Sequence, residues 1–268
     1  MQKPTVLVTG QTSFLARHFI AAADGRLSLT CLNRIDTAAT AHKTFDAVVN
    51  FACDPSYYVN PYADAIDLDR ILATRLKGKF GQYFMMSSRV VYGRSERLDI
   101  PETLRMSPQS SYARNKAATE EALIDTLGES ATILRLSNVF GQEQGRRTFT
   151  GQALSSLRER KEIVLDIAPN TLRDFLPVDD FATMLVAVVA ARARGILNLG
   201  SGIATTVSDM AAWFVQGYGA GHVHALSDQT QDQFCLDIGA LKKIVGEVTT
   251  SERIERAAIE AGQKLRNA

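Results

Sequence analysis

Apolar runs and helix-spaced apolar residues alternate along this chain. Residues 4–10, 45–52 and 131–136 are rich in β-branched and other apolar side chains, which is typical of strands buried on both faces of a parallel sheet. Residues 62–76 carry apolar side chains at helical spacing, and residues 251–265 predict an amphipathic helix. At 268 residues, the chain fits either one large α/β domain or a nucleotide-binding domain with a smaller lobe.

The first apolar run ends in a glycine turn. Gly10 closes the predicted strand, and a helix is predicted to begin at Gln11. A strand, a glycine turn and a helix bring backbone N–H groups and the positive end of the helix to a bound pyrophosphate. We therefore predict a dinucleotide site here. The residues expected to contact the cofactor at this turn are Gly10, Thr12, Ser13, Phe14 and Leu15.

The end of the second predicted strand bears on which dinucleotide binds. Residues 27–32 predict this strand, and Asn33 and Arg34 follow it as candidate cofactor contacts. An acidic residue here would accept hydrogen bonds from a free adenosine ribose, whereas an arginine accommodates the 2′-phosphate of NADP. We predict NADP, with NAD the less favoured cofactor. A solvated surface arginine is the alternative interpretation of Arg34.

Tyr112 and Lys116 lie four residues apart at the start of another predicted helix, so they share one face. A cation close to a phenol stabilises the phenolate and lowers a tyrosine pKa from its usual value of about 10. Tyr112 is therefore a candidate general acid or base. The pair alone occurs by chance on many helices, but Ser87 and Ser88 end an apolar run upstream, where open α/β sheets bind ligands.

These motifs resemble the extended short-chain dehydrogenase/reductase superfamily, and within it the NAD-dependent epimerase/dehydratase family and its nucleotide-sugar branch of 4-keto-reductases and epimerases. The resemblance extends from the first strand to about Leu241. Ser13 and Ala16 stand where the family's glycine turn has its second and third glycines. The matching motifs are Ser87-Ser88-x-x-Val91-Tyr92-Gly93, Tyr112-x-x-x-Lys116, Arg135-x-x-Asn138, Arg173-Asp174-Phe175 with Asp179-Asp180, and Gly200-Ser201-Gly202.

The resemblance implies a fold and its division. It predicts an α/β fold with a Rossmann-like, doubly wound parallel sheet and a smaller C-terminal α+β substrate lobe. Residues 1–141 would form the dinucleotide-binding domain and residues 142–268 mainly the substrate lobe, with segments near 172–200 returning to the Rossmann domain. It also implies that Phe51 and Ala52, at the end of the third strand, lie under the cofactor.

The resemblance further assigns catalytic roles to three residues. Tyr112 would protonate the carbonyl oxygen of a substrate, and Ser88 would hydrogen-bond the same oxygen. Lys116 would hold the nicotinamide ribose and lower the pKa of Tyr112, so that Tyr112 and Lys116 are also cofactor contacts. Ser87 is expected to contact the substrate and assist Ser88.

Two further residues are expected at the substrate's diphosphate. Asn138 and Arg173 occupy the family's positions for contacts to this group, and a planar guanidinium suits it because it makes paired, charge-assisted hydrogen bonds. The aspartates that follow, Asp179 and Asp180, are expected to cap the next helix.

Val90 bears on which reaction of this family is expected. Dehydratases of this branch carry a glutamate two positions beyond the catalytic hydroxyl, and a valine cannot transfer protons. We therefore expect NADP-dependent reduction of a nucleotide-linked 4-keto-6-deoxy sugar, ahead of a nucleotide-sugar 4-epimerase with tightly bound NAD(P). A non-catalytic NADP-binding sensor or scaffold is the alternative from another class, favoured by the replaced glycines and opposed by the presence of Tyr112. The resemblance also implies a homodimer.

Charge and cysteine content restrict the partners and the compartment. A formal net charge of +1 gives no electrostatic case for nucleic acid or an anionic membrane as a partner. Cys31, Cys53 and Cys235 are widely separated, so neither a disulfide framework nor a metal site is expected. The chain opens directly into its first strand without a leader pattern, and the apolar segment 181–193 is too short to cross a bilayer. These features predict a cytoplasmic protein.

Overall fold

The structure is a computed structural model that describes residues 3–33, 43–95, 97–142 and 148–267. Within these ranges the strands are β1 (Thr5–Thr9), β2 (Ser28–Leu32), β3 (Phe45–Asn50), β4 (Phe80–Ser88), β5 (Asp99–Ile100), β6 (Ala131–Leu136), β7 (Asn138–Phe140), β8 (Glu162–Leu165), β9 (Leu172–Pro177), β10 (Gly195–Leu199), β11 (Ala204–Thr206), β12 (His222–Ala225) and β13 (Cys235–Leu236). The helices are α1 (Phe14–Ala22), α2 (Leu68–Arg75), α3 (Ser111–Leu127), α4 (Phe149–Arg160), α5 (Val178–Ala190), α6 (Val207–Tyr218), α7 (Gly239–Val245) and α8 (Ser251–Arg266).

The main sheet consists of parallel strands in the order β2-β1-β3-β4-β6-β10. Because β2 and β3 lie on opposite sides of β1, the strand order reverses there. The carboxyl end of β1 is therefore the position where open α/β sheets bind ligands.

Both faces of this sheet are covered, as alternate residues of β1 show. Val6 and Val8 pack in a core shared with α1 and α5, whereas Leu7 packs in a core shared with α2 and α3. Helices on both faces of a parallel sheet confirm the predicted Rossmann-like, doubly wound fold.

The smaller α+β lobe is built around a second sheet, in the order β11-β9-β7, and a separate pair, β12 and β8. Its apolar core combines buried residues of α4, α6 and α8 with Phe140 and Phe175. The strand β10 returns to the main sheet, whereas β9 belongs to the small one. The domain boundary at residue 141 stays a prediction. None of the described helices has both the length and the apolar character needed to cross a membrane.

The predicted helix over residues 62–76 is interrupted. A 3-10 turn covers Asp64–Ile66, and α2 begins at Leu68 after Asp67. The side chain of Asp67 accepts a hydrogen bond from Arg70 N at 3.0 Å, which caps the new helix start.

Asp179 and Asp180 do not cap α5, contrary to the expectation from the sequence. The N-cap position is Pro177, which makes no side-chain capping bond. Asp179 instead lies 2.8 Å from His18 of α1, and Asp180 accepts a hydrogen bond from Thr249 at 2.7 Å. These aspartates therefore join α5 to neighbouring segments, although their charge still favours the positive end of the helix.

Candidate active site

The glycine turn is closed tightly against the end of β3. Gly10 has a φ of +71°, and a Cβ atom there would lie 2.5 Å from Ala52 N. Ser13 has a φ of −66° and caps α1, where its Oγ accepts a hydrogen bond from Ala16 N at 3.3 Å. Because this is an ordinary backbone conformation, the serine at the family's second glycine position causes no backbone strain. The turn therefore remains suited to a dinucleotide.

Gly10→Ala is expected to destabilise the protein and weaken binding of NADPH, because the new methyl group would collide with backbone atoms of residues 51 and 52. Gly25→Ala is a matched control, since Gly25 has the same φ of +71° but no atom lies within 4 Å of the position that its Cβ would take. The control should lose about 1 kcal/mol from backbone strain alone, and Gly10→Ala should lose more. Urea denaturation and NADPH titration measure both effects. Equal losses in the two variants would contradict this account.

Other predicted cofactor contacts meet the turn at the same edge of the sheet. Gln11 N donates to Leu32 O at 3.4 Å, which brings the end of β2 and the exposed Asn33 beside the turn. Ala52 N donates to Asn50 Oδ1 at 2.9 Å. The Phe51 ring packs 5.6 Å from the ring of Phe19. Thr12 is exposed, and Leu15 is half-buried on α1, next to the buried Phe14. Arg34 lies outside the described residues, so its contact with a 2′-phosphate stays a prediction.

The start of α3 positions Tyr112 and Lys116. Ser110 caps this helix by accepting a hydrogen bond from Ala113 N at 3.1 Å, so both residues lie on its first turns. Lys116 is 5% exposed, and its Nζ donates to Met86 O at 2.8 Å. Met86 precedes Ser88 by two residues in β4, so the ammonium lies at the carboxyl end of that strand. This bond uses one of the three donors of the amine, which fits a group that also holds ribose hydroxyls.

Aromatic packing orients the phenol. The half-buried Tyr112 ring stacks on Tyr58, with centroids 4.7 Å apart and an angle of 7° between the planes. It also meets Tyr57 edge-on, with centroids 6.3 Å apart. Both partners lie in the 3-10 turn Pro55–Tyr58 that follows β3. Such contacts fix the plane of the ring.

The environment of Lys116 favours its charged form. Burial lowers the pKa of the amine, but the negative charges of a Tyr112 phenolate and of Asp69 outweigh burial, so that the pKa is raised. The Asp69 Oδ2 atom lies 3.9 Å from Nζ. Lys116 is therefore an ammonium at neutral pH.

Asp69 belongs to a buried polar network beneath this site. Its Oδ1 accepts hydrogen bonds from Asn50 Nδ2 at 2.7 Å and from the Tyr83 hydroxyl at 2.9 Å. Burial raises the pKa of Asp69 to about 6, although the Lys116 ammonium and the Asn50 amide act in the opposite direction. The network links the end of β3, through Asn50, to the catalytic candidates on α3.

This raised pKa predicts a pH dependence of stability. The folded protein holds the Asp69 proton more tightly than the unfolded chain, so the resulting stabilisation is fully present below about pH 4 and is lost as the pH rises through about 6. The loss should be on the order of 2–3 kcal/mol, and Asp69→Asn should remove it. Urea denaturation of both proteins from pH 4 to pH 7 measures the difference. Parallel stability curves would show that Asp69 does not titrate in this range.

The two adjacent serines lie in different surroundings. Ser87 is 2% exposed, and its hydroxyl donates to Glu120, whose carboxylate pairs with Arg135 at 2.7 Å. Successive strand residues face opposite sides, so Ser88 does not share that environment. Ser88 ends β4 half-buried, and its Oγ accepts a hydrogen bond from Val90 N at 3.4 Å. The structure therefore places the Ser87 hydroxyl in the core and Ser88 at the carboxyl end of β4, and the roles expected of both serines stay predictions.

The predicted diphosphate contacts are neighbours in the small sheet. Asn138 of β7 lies in register with Phe175 of β9, two residues beyond Arg173. Among the described residues, the buried atoms Ser137 Oγ, Asn138 Nδ2 and Arg173 Nε have no hydrogen-bond partner. Buried polar atoms without partners are rare in folded proteins, so a polar ligand fits here.

Asp174, the residue after Arg173, has a structural role. Its carboxylate accepts hydrogen bonds from Ser201 N and Oγ, both at 2.8 Å, and from Gly202 N and Leu236 N at 3.1 and 3.2 Å. It therefore joins β9 to the loop after β10 and to β13.

Sequence reasoning missed Asp69, beneath this site, and Glu120, in the adjoining core. The sequence pattern around Asp69 indicates only a charge favouring the start of a helix, but Asp69 lies three residues before the buried Leu72 and so faces inward. Glu120 follows Lys116 by four residues, which places both on one helix face. The spacing along each helix could therefore have predicted that Asp69 and Glu120 face inward.

Comparisons with known proteins agree with this architecture. The NAD dependent epimerase/dehydratase family matches residues 6–200. The dTDP-L-rhamnose 4-epimerase of Burkholderia thailandensis is 39% identical over 122 residues, which cover 42% of this chain and 34% of that protein.

Two solved structures resemble nearly the whole chain. The UDP-N-acetylglucosamine 4-epimerase of Methanobrevibacter ruminantium, in complex with UDP-N-acetylmuramic acid, is 18% identical with a TM-score of 0.82, and covers 100% of both chains. RMD from Pseudomonas aeruginosa, complexed with NADPH, is 20% identical with a TM-score of 0.79, and covers 98% of this chain and 99% of that one. At these identities the likeness concerns the fold.

The curated relatives are matched over part of their length. Alignments with the rhamnose epimerase and with two dTDP-glucose 4,6-dehydratases span 34%, 56% and 59% of those proteins. The family match, in contrast, extends over most of the present chain, from β1 to the residue after β10. This match, the doubly wound sheet and the glycine turn agree: the chain belongs to the NAD dependent epimerase/dehydratase family.

Proposed function

We propose that this protein reduces the 4-keto group of a nucleotide-linked 4-keto-6-deoxy sugar, with NADP as its cofactor. The observation that carries the proposal is the buried Lys116 ammonium at the carboxyl end of β4, one helical turn from Tyr112. This end of the sheet also carries the glycine turn of Gly10. An acid–base group and a dinucleotide turn at one edge suit redox chemistry at a carbon–oxygen bond.

Each candidate residue has a separate role in the proposed reaction. NADPH, when bound, would supply the hydride for the keto carbon. Tyr112 donates a proton to the developing alkoxide, and Ser88 donates a hydrogen bond to the same oxygen. Lys116 binds the ribose hydroxyls and, through its charge, makes the Tyr112 phenol a stronger acid. The stacked ring of Tyr58 restricts the orientation of Tyr112.

The substrate class is supported by the small lobe and by the relatives. Arg173 and Asn138 present buried donor atoms that have no partner among the described residues, and a diphosphate oxygen would satisfy them. The relatives include a dTDP-sugar enzyme and a UDP-sugar enzyme. We therefore propose a nucleoside diphosphate sugar, with Asn138 and Arg173 at its phosphates.

The proposal is tested by mixing the protein with NADPH or NADH and a panel of 4-keto nucleotide sugars. We expect net loss of nicotinamide absorbance with at least one sugar, and tighter binding of NADPH than of NADH. Arg34→Ala should remove that preference if Arg34 contacts the 2′-phosphate. Tight NADPH binding without turnover of any sugar would instead favour a non-catalytic sensor or scaffold. Tighter binding of NADH, unchanged in Arg34→Ala, would refute the NADP assignment.

A 4-epimerase is the second candidate, because the rhamnose 4-epimerase is 39% identical over its matched segment. An epimerase uses the same acid–base residues but regenerates its cofactor in each cycle. Conversion of a 4-hydroxy nucleotide sugar into its 4-epimer, with no net change in the oxidised or reduced cofactor, would therefore identify an epimerase. Dehydration is disfavoured, because Val90 offers no proton-transfer group two residues beyond Ser88.

We also propose that the protein forms a homodimer through a surface that includes α3. On α3, Ile124 presents a 41% exposed apolar side chain, as expected of a helix that packs against a second copy. Light scattering after size exclusion should give twice the mass of the chain. Ile124→Glu should yield a monomer, and a monomeric wild-type protein would refute the assignment.

A further inference from the structure

An ion pair lies directly beside the candidate catalytic serine. Arg89 follows Ser88, and its Nη1 donates to Asp232 Oδ1 at 2.7 Å, while Nη2 contacts Oδ2. The side chains are 13% and 27% exposed. The Arg89 guanidinium also lies 4.0 Å from the centroid of the Phe234 ring. The pair therefore fixes the loop before β13 against the turn that carries the catalytic hydroxyl.

The same pair adjoins Arg173. Phe234 N donates to Leu172 O at 3.1 Å, and Leu172 N donates to the Gln233 side chain at 3.1 Å. Arg89, stacked on Phe234, is thus next to the strand segment that carries Arg173. Burial lowers the pKa of Arg173, the carboxylates of Asp232 and Asp166 oppose this effect, and the Arg89 charge adds to it. Arg89, Asp232 and Arg173 are therefore close enough to interact.

Several buried donors near this ion pair lack partners among the described residues. The Asp232 carboxylate makes its paired hydrogen bonds with Arg89. Arg173 Nε is buried without a partner in the described part of the chain, as are the nearby donors of Ser137 and Asn138. An anion with several acceptor oxygens would satisfy these donors.

We propose that Arg89 is a substrate-specificity residue that binds the diphosphate of the nucleotide sugar together with Arg173, and that Asp232 occupies Arg89 as an internal counter-ion until the substrate displaces it. This inference rests on the nucleotide-sugar substrate proposed above. It assigns the loop around Asp232 a gating role, since substrate entry must break its ion pair.

The proposal predicts opposite effects for the two partners of one ion pair. In the NADPH-saturated protein, Arg89→Ala should raise the Kd for dTDP and for UDP by about tenfold or more, because a charged, paired hydrogen-bond donor is lost. Asp232→Asn should lower the same Kd by about threefold or more, because a competing anion is lost. Asp232 has a φ of +55°, which asparagine also tolerates, so this change isolates the charge.

Isothermal titration calorimetry of dTDP, UDP, thymidine and inorganic pyrophosphate tests these effects. Thymidine binding should be unchanged in both variants, whereas pyrophosphate should follow dTDP. Arg89→Lys, which keeps the charge but loses the paired geometry, should be intermediate and guards against misfolding of the alanine variant. Arg97→Ala is a control, because Arg97 pairs with Asp99 on the exposed surface at 3.4 Å.

Weaker dTDP binding in both Arg89→Ala and Asp232→Asn would overturn the proposal, since the pair would then only hold the loop. Unchanged binding in both would overturn it as well. Failure of the reductase proposal is a separate outcome. If the Kd values for dTDP and UDP shift in opposite directions as predicted but no keto sugar is turned over, the diphosphate site is supported and the reductase activity is not. Turnover with unchanged dTDP binding in Arg89→Ala would refute this inference alone.

Discussion

Tyr112→Phe is expected to lower kcat for the proposed reduction by about 10²–10⁴-fold, the usual contribution of a positioned general acid. Phenylalanine keeps the ring that stacks on Tyr58 and Tyr57, so the fold should be retained. The loss should therefore appear in the chemical step. Single-turnover kinetics with NADPH and the best keto sugar measure it.

Two controls make this result specific. Tyr218→Phe removes a phenol from α6 in the smaller lobe and should leave kcat within about twofold of wild type, as expected of a change outside the site. Lys116→Met should also lower kcat, and in addition weaken NADPH binding, because the amine is proposed to hold the cofactor ribose. Retention of more than a third of the wild-type rate in Tyr112→Phe would exclude Tyr112 as the proton donor.

The largest effect on stability is expected from Glu120→Ala. This change leaves the Arg135 guanidinium, which is 3% exposed, without its charge partner, and it frees the buried Ser87 hydroxyl. Removing one member of a buried ion pair typically costs about 3–5 kcal/mol of unfolding free energy. In a protein of this size, such a loss lowers Tm by about 10 °C. Calorimetry and urea denaturation measure both quantities.

The neighbouring residue provides the control for this prediction. Glu121 is exposed on the same helix, and Glu121→Ala should change stability by less than about 0.5 kcal/mol. The double variant Glu120→Ala with Arg135→Met should recover part of the loss, because no buried charge remains unpaired. A similar loss of unfolding free energy in Glu121→Ala would contradict the prediction, because the effect would then come from α3 as a whole and not from the buried ion pair.

Local sequence patterns were sufficient for the framework of the fold. The β-branched run before Gly10 predicts β1, and the glycine predicts the turn whose φ of +71° is compatible with few other residues. The pairing of Tyr112 with Lys116 on one helix face also follows from sequence spacing. These features depend on residues that are close together in the sequence, so they can be predicted from it.

Long-range contacts could not be predicted in the same way. The different surroundings of Ser87 and Ser88 depend on Glu120 and Arg135, which reach β4 from another helix and another strand. The inward position of Asp69 depends on Asn50 and Tyr83 for its hydrogen bonds. These partners are distant along the chain, so residue type alone suggested only a helix-start charge or a substrate contact.

The diphosphate candidates illustrate both cases. Family motifs identify Asn138 and Arg173, but only the parallel pairing of β7 with β9 places them side by side. The Arg89–Asp232 ion pair connects residues 143 positions apart, and no local pattern indicates it. Arg34 lies outside the described residues, so the NADP preference still depends on sequence alone.

The most direct test of the account is a crystal structure of the protein with NADPH and a nucleotide sugar bound. We predict a nicotinamide ring beside Lys116, with a sugar carbonyl oxygen or hydroxyl within about 3 Å of both the Tyr112 hydroxyl and Ser88 Oγ. A nicotinamide ring bound away from Lys116, or a sugar whose C4 oxygen contacts neither Tyr112 nor Ser88, would contradict it.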